Sequence, residues 1–262
     1  MSRAADRSMC PWAPARPGHR SDMLELRGAA DMQHALLPPP VHNGRFVEAA
    51  AMTTSRWHAG GDFYDYVDTG REFRIALGDA AGRGLPAALH AAMVLGVLAV
   101  ETEKDARPAR VMEQLNQALC RRSIPARFVT LFYAVFTADH RIVYSNAGHC
   151  RPLLVNHRCV ARLGAGGPPL GLWRDARFAE ATLTVETGDV MAAYSDGIVD
   201  TVGKAGDVDE EFGDGGVLET ISSHREVAAG EMVEKIVAGI RPLAAQGPDY
   251  DDMTAMVVRY LG

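Results

Sequence analysis

Residues 73–100 read FRIALGDAAGRGLPAALHAAMVLGVLAV. The segment predicts a strand over 73–78, a glycine-rich turn that contains Asp79, and an apolar helix over 85–101. A strand that ends in Asp places a carboxylate at the rim of a sheet, and neighbouring glycines let a backbone, a ligand or an ion come close. This unit therefore predicts an acidic site at a sheet edge, followed directly by a buried helix.

The segments on either side of this unit show grouped strand and helix patterns. Val, Ile, Phe and Tyr dominate the predicted strands, and 3.6-residue spacing marks the predicted helices. Runs of strands therefore flank pairs of helices, which favours an antiparallel α+β layered fold over a doubly wound parallel sheet. The further predicted strands are 46–54, 128–137, 141–145, 152–156, 181–185, 190–194 and 253–261, and the helices are 109–122, 217–224 and 228–245.

The N-terminal part differs from the rest in composition. Residues 1–22 are rich in Arg, Pro and Ala without a hydrophobic period, and we predict a flexible tail. A short helix is predicted over 23–37, where Pro38-Pro39-Pro40 stops it because proline lacks the backbone donor. We therefore divide the chain into the tail, an N-terminal helix with a Pro-rich linker over 23–43, and one domain over 44–262.

Composition excludes several classes of protein. The chain has 262 residues, 47% of them apolar and 23% charged, which is typical of a globular protein rather than a disordered or collagen-like chain. The net charge of −6 argues against a nucleic-acid partner. The longest apolar run, residues 85–100, is too short to span a membrane, and no apolar leader precedes the domain. These features predict a cytoplasmic protein without a membrane partner.

Four aspartates share the pattern of a strand end or a glycine turn. Asp62 lies in GGDFYD, Asp79 in GDAAGRG, Asp196 in YSDG, and Asp251 opens DDMT. A lone Asp-Gly pair indicates only a turn. Four such carboxylates brought together would resist ionisation without a cation, and carboxylate oxygens suit Mg²⁺ or Mn²⁺. Such ions can activate a water and hold a transferring phosphoryl group.

The motifs, taken in order, resemble a known family. LLPPP, GGDFYD, GDAAGRGLPAAL, FVTLFYAVF, YSNAGHCRPLL, PPLGL, GDVMAAYSDGIVD, FG and DDMT resemble the SpoIIE/RsbU-type bacterial branch of the metal-dependent protein phosphatases, also called the PPM or type 2C family. The resemblance runs from about residue 36 to residue 261. It implies a four-layer α-β-β-α sandwich, in which helices flank two central antiparallel sheets. It also implies a protein-serine/threonine phosphatase that uses two Mn²⁺ or Mg²⁺ ions.

The resemblance assigns roles to the acidic residues. Asp79 matches the bridging metal ligand, and Ala80 would offer its backbone carbonyl. Asp196 and Asp251 match the other direct ligands, while Asp62 matches an acidic position that holds the metals directly or through water. The four aspartates are thus the predicted catalytic residues, acting through a metal-bound water that attacks phosphorus.

Three further positions are predicted to support these ligands. Asp252 stands where eukaryotic relatives carry asparagine and would orient the neighbouring ligand. Gly61 and Gly197 would let the backbone pass close to the site.

The proton donor for the leaving group stays open. Eukaryotic relatives carry a histidine two residues after the bridging aspartate, and Ala81 stands there in this chain. His58 and His149 are candidates by residue type alone, and His149 is expected to brace its own turn from inside the fold.

Substrate and partner expectations also come from the resemblance. It implies a phosphorylated anti-sigma-factor antagonist of the STAS type as substrate. The helix over 23–37 either mediates a homodimer or an upstream regulator, or simply packs on the core. Two alternative functions stay open: a pseudophosphatase that binds a phosphoprotein as a scaffold, and a GGDEF-like nucleotide cyclase, which the Phe63 after Gly60-Gly61-Asp62 disfavours.

Overall fold

The computed structural model describes residues 19–55, 59–122, 128–205, 208–244 and 251–262. The predicted flexible tail therefore lies almost entirely outside the described residues. In chain order the elements are α1 (His19–Leu36), β1 (Val41–Asn43), β2 (Val47–Thr54), β3 (Asp62–Asp68), β4 (Glu72–Ala80), α2 (Gly84–Lys104), α3 (Pro108–Arg122), β5 (Val129–Thr137), β6 (Arg141–Ala147), β7 (Leu153–Val155), β8 (Val160–Arg162), β9 (Gly166–Gly167), β10 (Ala181–Thr184), β11 (Val190–Tyr194), α4 (Asp196–Val199), β12 (Val202–Ala205), β13 (Val208–Glu211), α5 (Gly213–Ser223), α6 (Ala229–Ala244) and β14 (Met253–Tyr260).

Two antiparallel sheets form the centre of the fold. The first sheet has the order β1-β2-β14-β11-β7-β8, and the second has the order β10-β6-β5-β4-β3 with β9 beside β6. Only the short β6–β9 pair is parallel among these described strands. The last strand in the chain, β14, lies in the middle of the first sheet and pairs with β2 from Met253↔Thr54 to Tyr260↔Val47.

Three layers of buried apolar side chains separate the four layers of secondary structure. Between the sheets, residues such as Phe132 and Met191 belong to one cluster. Leu98 of α2 and Met112 of α3 pack on the outer face of the second sheet. Ile236 of α6 belongs to the cluster on the outer face of the first sheet, with α5 beside it. This arrangement confirms the predicted α-β-β-α sandwich and buries apolar area on both faces of each sheet.

Helix α2 confirms the prediction made from residues 85–101, with bounds extended at both ends. At 21 residues it is the one described helix long and apolar enough to cross a membrane by length and composition, so the expectation that this segment is too short to span a membrane was wrong. Its Ala91, Val94 and Leu98 are buried against the second sheet and α3, as in the core helix of a layered domain.

Strand β3 was missed by the sequence patterns. It runs beside β4 from Asp62↔Asp79 to Asp68↔Phe73 and forms an edge of the second sheet. Its residues are mostly acidic or aromatic, and Val67 is its single β-branched residue, because an edge strand tolerates polar positions. Helix α1 also begins earlier than predicted, at His19.

The Pro-rich linker is fixed to the edge of the second sheet. Tyr64 donates a hydrogen bond from its hydroxyl to the carbonyl of Pro38 at 3.2 Å, and Tyr66 donates to the carbonyl of Pro39. The amide of Ala51 donates to Pro40 at 2.8 Å. These contacts hold the C-terminal end of α1 against both sheets at once.

Two polar side chains, one half-buried and one buried, lie on the face of the second sheet that α2 covers. Asp65 of β3 and Tyr133 of β5 are both aligned with Ala76 of β4 and therefore share one face of the sheet. The Tyr133 hydroxyl is buried without a hydrogen-bond partner among the described residues. Burial raises the pKa of Asp65 to about 6, although a hydrogen bond with the Tyr66 backbone acts in the opposite direction.

This pair predicts a pH-dependent stability difference for Asp65→Asn. The raised pKa means that the folded state holds the Asp65 proton at a pH where the unfolded state has released it. Wild-type stability should therefore fall as the pH rises through the interval from about 4 to about 6. Relative to wild type, the variant should gain about 1–3 kcal/mol at pH 8 and nothing at pH 4. Urea unfolding of metal-free protein measures this, and an equal difference at both pH values would contradict it.

Candidate metal centre

The second sheet brings two of the predicted aspartates side by side. Asp62 opens β3, Asp79 lies near the end of β4, and the two are directly opposite in the ladder. On the other side of β4, Thr130 of β5 is opposite Asp79. Because side chains opposite each other on antiparallel strands lie on the same face, the Asp62 and Asp79 carboxylates are neighbours.

The first sheet supplies the remaining acidic residues at the same end of the sandwich. Asp196 follows β11, Asp251 and Asp252 precede β14, and these strands pair at Tyr194↔Ala255. The end of β11 and the start of β14 therefore meet at one edge.

A buried hydrogen bond joins the two sheets at this edge. Ser195 donates from Oγ to Oδ2 of Asp62 at 2.7 Å, and the same Oγ accepts the amide of Thr254 at 2.9 Å. Asp62 is 4% exposed, so this contact is shielded from water. It fixes the separation between the strand that carries Asp62 and the strand that leads to Asp196.

A cavity of about 310 Å³ opens between the two groups of aspartates. Asp79, Asp196 and Asp251 line the cavity. Asp62 does not line it, and its carboxylate accepts the hydrogen bond from the Ser195 hydroxyl. The remaining lining residues are Ala81, Gly82, Arg83, Phe128, Thr130, Gly148, His149 and Cys150. In the described part of the chain, no three His, Cys, Asp or Glu side chains are close enough to form a preassembled cage for an ion.

The carboxylates raise one another's pKa. Loss of solvation, followed by the charges of Asp196, Asp251 and Asp252, raises the pKa of Asp79 to about 7. Burial and the Asp79 charge raise the pKa of Asp62 well above its usual value, against the hydrogen bond from Ser195 that lowers it. A cluster of hard oxygen donors that repel one another in this way fits a divalent cation such as Mg²⁺ or Mn²⁺.

Glycine at position 61 is required by the crowding beside Asp79. The Gly61 amide donates to Asp252 Oδ2 at 2.9 Å, and its carbonyl accepts the Ala80 amide at 3.0 Å. A Cβ at position 61 would lie 2.5 Å from the Ala80 carbonyl oxygen and 2.6 Å from Asp79 Oδ1. At Gly197 a Cβ would lie 2.0 Å from the Asp252 carbonyl oxygen. Both positions therefore let acidic segments at the ends of neighbouring strands approach closely.

Helix α1 contacts this centre through one side chain that the sequence patterns missed. Gln33 donates from Nε2 to the Gly60 carbonyl at 2.7 Å and accepts the Gly60 amide on Oε1 at 3.1 Å. Gly60 precedes Gly61, so α1 holds the segment that in turn holds Asp252 and Ala80. A single Gln on a predicted helix gives no sequence signal for this, because the contact depends on where the linker places α1.

His149 braces the wall of the cavity. Its Nδ1 lies 2.9 Å from Thr130 Oγ1, and its amide donates to Asn146 Oδ1 at 2.7 Å. Burial lowers the pKa of His149 to about 4, so the ring is neutral at pH 7. These contacts match the expected bracing role of His149, and a neutral ring cannot act as an imidazolium acid. The other candidate, His58, lies outside the described residues.

Comparison with known proteins identifies the family. Residues 69–261 match the family model of Stage II sporulation protein E (SpoIIE). The chain belongs to this family.

Curated relatives agree with this assignment. The chain is 27% identical over 238 residues to phosphoserine phosphatase RsbU of Bacillus subtilis, covering 90% of this chain and 70% of that protein. It is 23% identical to phosphoserine phosphatase RsbP of the same organism, covering 83% of this chain and about half (53%) of that protein.

Solved structures confirm the fold. The SiaA-PP2C domain of Pseudomonas aeruginosa aligns with a TM-score of 0.79 and 20% identity, covering 92% of this chain and 97% of that one. The catalytic domain of the serine threonine protein phosphatase PstP, solved with two manganese ions, aligns with a TM-score of 0.61 and 15% identity, covering 83% and 99%. The names of these relatives confirm the predicted enzyme class, a protein-serine/threonine phosphatase.

The glycine contacts predict that Gly61→Ala destabilises the protein. The added Cβ must displace the Ala80 carbonyl or the Asp79 carboxylate, which we expect to cost about 1–3 kcal/mol. Gly96→Ala in α2 is the matched control, because a Cβ there meets nothing within 4 Å and should stabilise the helix by about 0.5–1 kcal/mol. Urea unfolding compares the two, and equal stability of both variants would contradict the crowding argument.

The Gln33 contacts predict a local effect of Gln33→Ala. Without the side-chain amide, the Gly60 amide loses its acceptor, so its hydrogen exchange should accelerate by tenfold or more together with that of Gly61. His34→Ala, on an exposed position of the same helix, should leave both exchange rates unchanged. Unaltered exchange at Gly60 in the Gln33 variant would show that α1 does not hold this segment.

Proposed function

We propose that the chain is a metal-dependent phosphatase that hydrolyses phosphoserine or phosphothreonine on a regulatory protein. The observation that carries the proposal is the cavity of about 310 Å³ lined by Asp79, Asp196 and Asp251 from two different sheets. Solvation loss and like charge raise the pKa values of Asp79 and Asp196 there, as expected for a site completed by cations.

The metal ligands of the proposal follow the family pattern. Asp79 would be the ligand shared by two Mn²⁺ or Mg²⁺ ions, Asp196 and Asp251 would be the other direct ligands, and Asp62 and the Ala80 carbonyl would complete the site. When bound, the ions supply an activated water and offset the charge of the phosphoryl group. The hard oxygen donors and the mutual repulsion of the carboxylates support this set of ligands.

Neighbouring groups of the chain position these carboxylates. Asp252 is 6% exposed, accepts the Gly61 amide at 2.9 Å, and donates its own amide to Asp251 Oδ1 at 3.0 Å. The Asp252 segment thereby orients Asp251 toward the cavity. Arg83 lies at the mouth with a guanidinium nitrogen 3.6 Å from Asp251 Oδ2 and is largely exposed. Its charge would draw a phosphate monoester toward the cavity.

A phosphorylated regulatory protein of the STAS type is the proposed substrate. Support comes from RsbU and RsbP, both named phosphoserine phosphatases, and from a structural neighbour (TM-score 0.61, 17% identity) described with the bacterial stressosome as a modular system.

We also propose a cytoplasmic location. Helix α1 is proposed as the contact for a second copy or an upstream regulator, since it exposes Leu24, Met32 and Leu36.

Removal of one carboxylate tests the catalytic proposal. Asp79→Asn and Asp196→Asn should each reduce Mn²⁺-dependent hydrolysis of para-nitrophenyl phosphate and of a phosphoserine peptide by about 10²–10³-fold or more. Without metal, Asp79→Asn should be more stable than wild type, because one repelling charge is gone. Asp139→Asn is the control, since Asp139 lies in the turn between β5 and β6 and does not line the cavity.

Two results would contradict the catalytic proposal. Full activity in a folded Asp79→Asn variant would remove the role of Asp79. A wild-type protein that binds the phosphoserine peptide but releases no phosphate with Mn²⁺ or Mg²⁺ would favour the scaffold function instead. A family member with the described fold gives no support to the nucleotide cyclase alternative.

A further inference from the structure

Thr130 continues the row of acidic residues across the second sheet. Asp62 of β3 is opposite Asp79 of β4, and Thr130 of β5 is opposite Asp79 on the other side. Side chains in such a row share one face of the sheet, with Cβ atoms about 5 Å apart between neighbouring strands. Thr130 and Asp79 also line the same cavity. The Thr130 hydroxyl is therefore one strand away from the carboxylate that is the proposed shared ligand.

One imidazole ring holds the Thr130 hydroxyl. Among the described residues, the hydrogen-bond partner of Thr130 Oγ1 is His149 Nδ1 at 2.9 Å. The turn before His149 fixes the ring, because the His149 amide donates to Asn146 Oδ1 at 2.7 Å and Gly148 has a φ of 68°. A Cβ at Gly148 would lie 2.7 Å from the Pro169 ring. The ring therefore cannot leave Thr130 unless this closely packed turn moves.

The environment of the His149 ring decides which nitrogen carries the hydrogen. Burial lowers the pKa of the ring to about 4, so at pH 7 one nitrogen is a donor and the other an acceptor. Since Nδ1 is beside Thr130, the buried Nε2 is the nitrogen left to contact the Tyr194 backbone. That contact falls short of normal hydrogen-bond geometry among the described residues, but it raises the pKa of His149, which only an acceptor does. The Tyr194 carbonyl therefore faces Nε2 and favours the hydrogen there.

This tautomer fixes the direction of the Thr130 hydroxyl. With the hydrogen on Nε2, Nδ1 is an acceptor, so Thr130 donates its single hydrogen to His149. The lone pairs of Thr130 Oγ1 then remain for the cavity that Thr130 lines. An acceptor at this place can bind a hydrogen of water, but it cannot bind the unprotonated oxygens of a phosphate monoester. The pair of Thr130 and His149 therefore selects water over phosphate beside Asp79.

We propose that Thr130, held by His149, accepts a hydrogen bond from the water that attacks phosphorus and thereby aims its lone pair at the phosphorus atom. The proposal rests on the proposed phosphatase function and adds two residues to that site. Thr130 touches the attacking water, whereas His149 is a positioning residue that acts through Thr130. The contact orients a reacting group and transfers no proton.

NMR of the full chain tests the direction of the hydrogen bond without turnover. Long-range ¹H–¹⁵N spectra distinguish the two neutral tautomers of histidine, and the signals of His149 are those lost in His149→Asn. Without metal and with Mg²⁺, we expect a neutral ring with its hydrogen on Nε2 at pH 7. A hydrogen on Nδ1 would make Thr130 a donor to the cavity and would overturn the proposal.

Thr130→Val removes the hydroxyl and keeps the branched shape of the side chain. Its kcat should fall about tenfold with both para-nitrophenyl phosphate and a phosphoserine peptide, with KM within twofold, because both reactions use the same attacking water. Thr130→Ser keeps the hydroxyl and should stay within threefold of wild type. Thr182→Val, on an exposed position of β10 in the same sheet, is the matched control and should leave kcat unchanged.

Two kinetic results would contradict the role of Thr130. The first is a wild-type kcat in Thr130→Val. The second is a loss confined to the phosphoserine peptide, which would indicate a proton donor to the leaving group. The para-nitrophenolate leaving group needs no such donor, whereas a serine alkoxide does.

Variants of His149 test its action through Thr130. The Oδ1 of asparagine is as many bonds from Cβ as the Nδ1 of histidine, so His149→Asn can still accept from Thr130, whereas His149→Leu cannot. The kcat of His149→Asn should be at least threefold above that of His149→Leu. Adding Thr130→Val to His149→Leu should cause less than a twofold further loss. A further tenfold loss in the double variant would show that the two residues act independently and would overturn the positioning role.

Mn²⁺ binding separates this proposal from the metal site and from the phosphatase function. Because Thr130 is not a proposed ligand, calorimetry should find the Mn²⁺ affinity of Thr130→Val within twofold of wild type. An affinity loss as large as the loss of kcat would assign Thr130 to the metal site and reject the orienting role. If wild type hydrolyses neither substrate with Mn²⁺ or Mg²⁺, the phosphatase function fails and the orienting role with it. If wild type and Thr130→Val are equally active, the orienting role alone fails.

Discussion

A buried hydrogen bond from Ser195 to Asp62 joins the two sheets where the acidic residues meet. The sheets pack mainly through apolar side chains, which are non-directional and set a spacing but no register. The directional contact between Ser195, Asp62 and the Thr254 amide sets the relative position of the strand ends. The shape of the cavity therefore depends on a polar contact at the rim of an otherwise apolar interface.

In the acidic centre, the fold holds carboxylates close together although their charges repel one another. The close approaches at Gly61 and Gly197 and the hydrogen bond from the Gly61 amide bring Asp79 and Asp252 close, while the charge of each carboxylate opposes ionisation of the other. This repulsion lowers the stability of the metal-free protein and favours a bound cation. Functional sites commonly reduce stability in this way. Burial of apolar side chains in the three layers stabilises the fold and offsets this unfavourable centre.

The sequence pointed to the aspartates at strand ends, whereas it did not point to side chains that hydrogen-bond to distant segments of the chain. Asp79 and Asp196 stand out because glycines and apolar strands flank them. Gln33 and Asn116 look like ordinary helix residues, because their partners are backbone groups of segments 27 and 55 or more positions away. Strand β3 was missed for a related reason, since an edge strand carries a polar pattern that local propensity does not favour.

The position of β14 has a consequence for synthesis of the chain. This strand ends at Tyr260, yet it lies between β2 and β11 and pairs along its full length with residues near position 50. The position between β2 and β11 therefore stays unfilled until residue 260 has been synthesised. Until then β2 and β11 present unpaired inner edges, which are prone to association with other chains. Nascent chains of this protein should therefore need protection from aggregation until β14 has been synthesised, and the acidic centre forms only after that point.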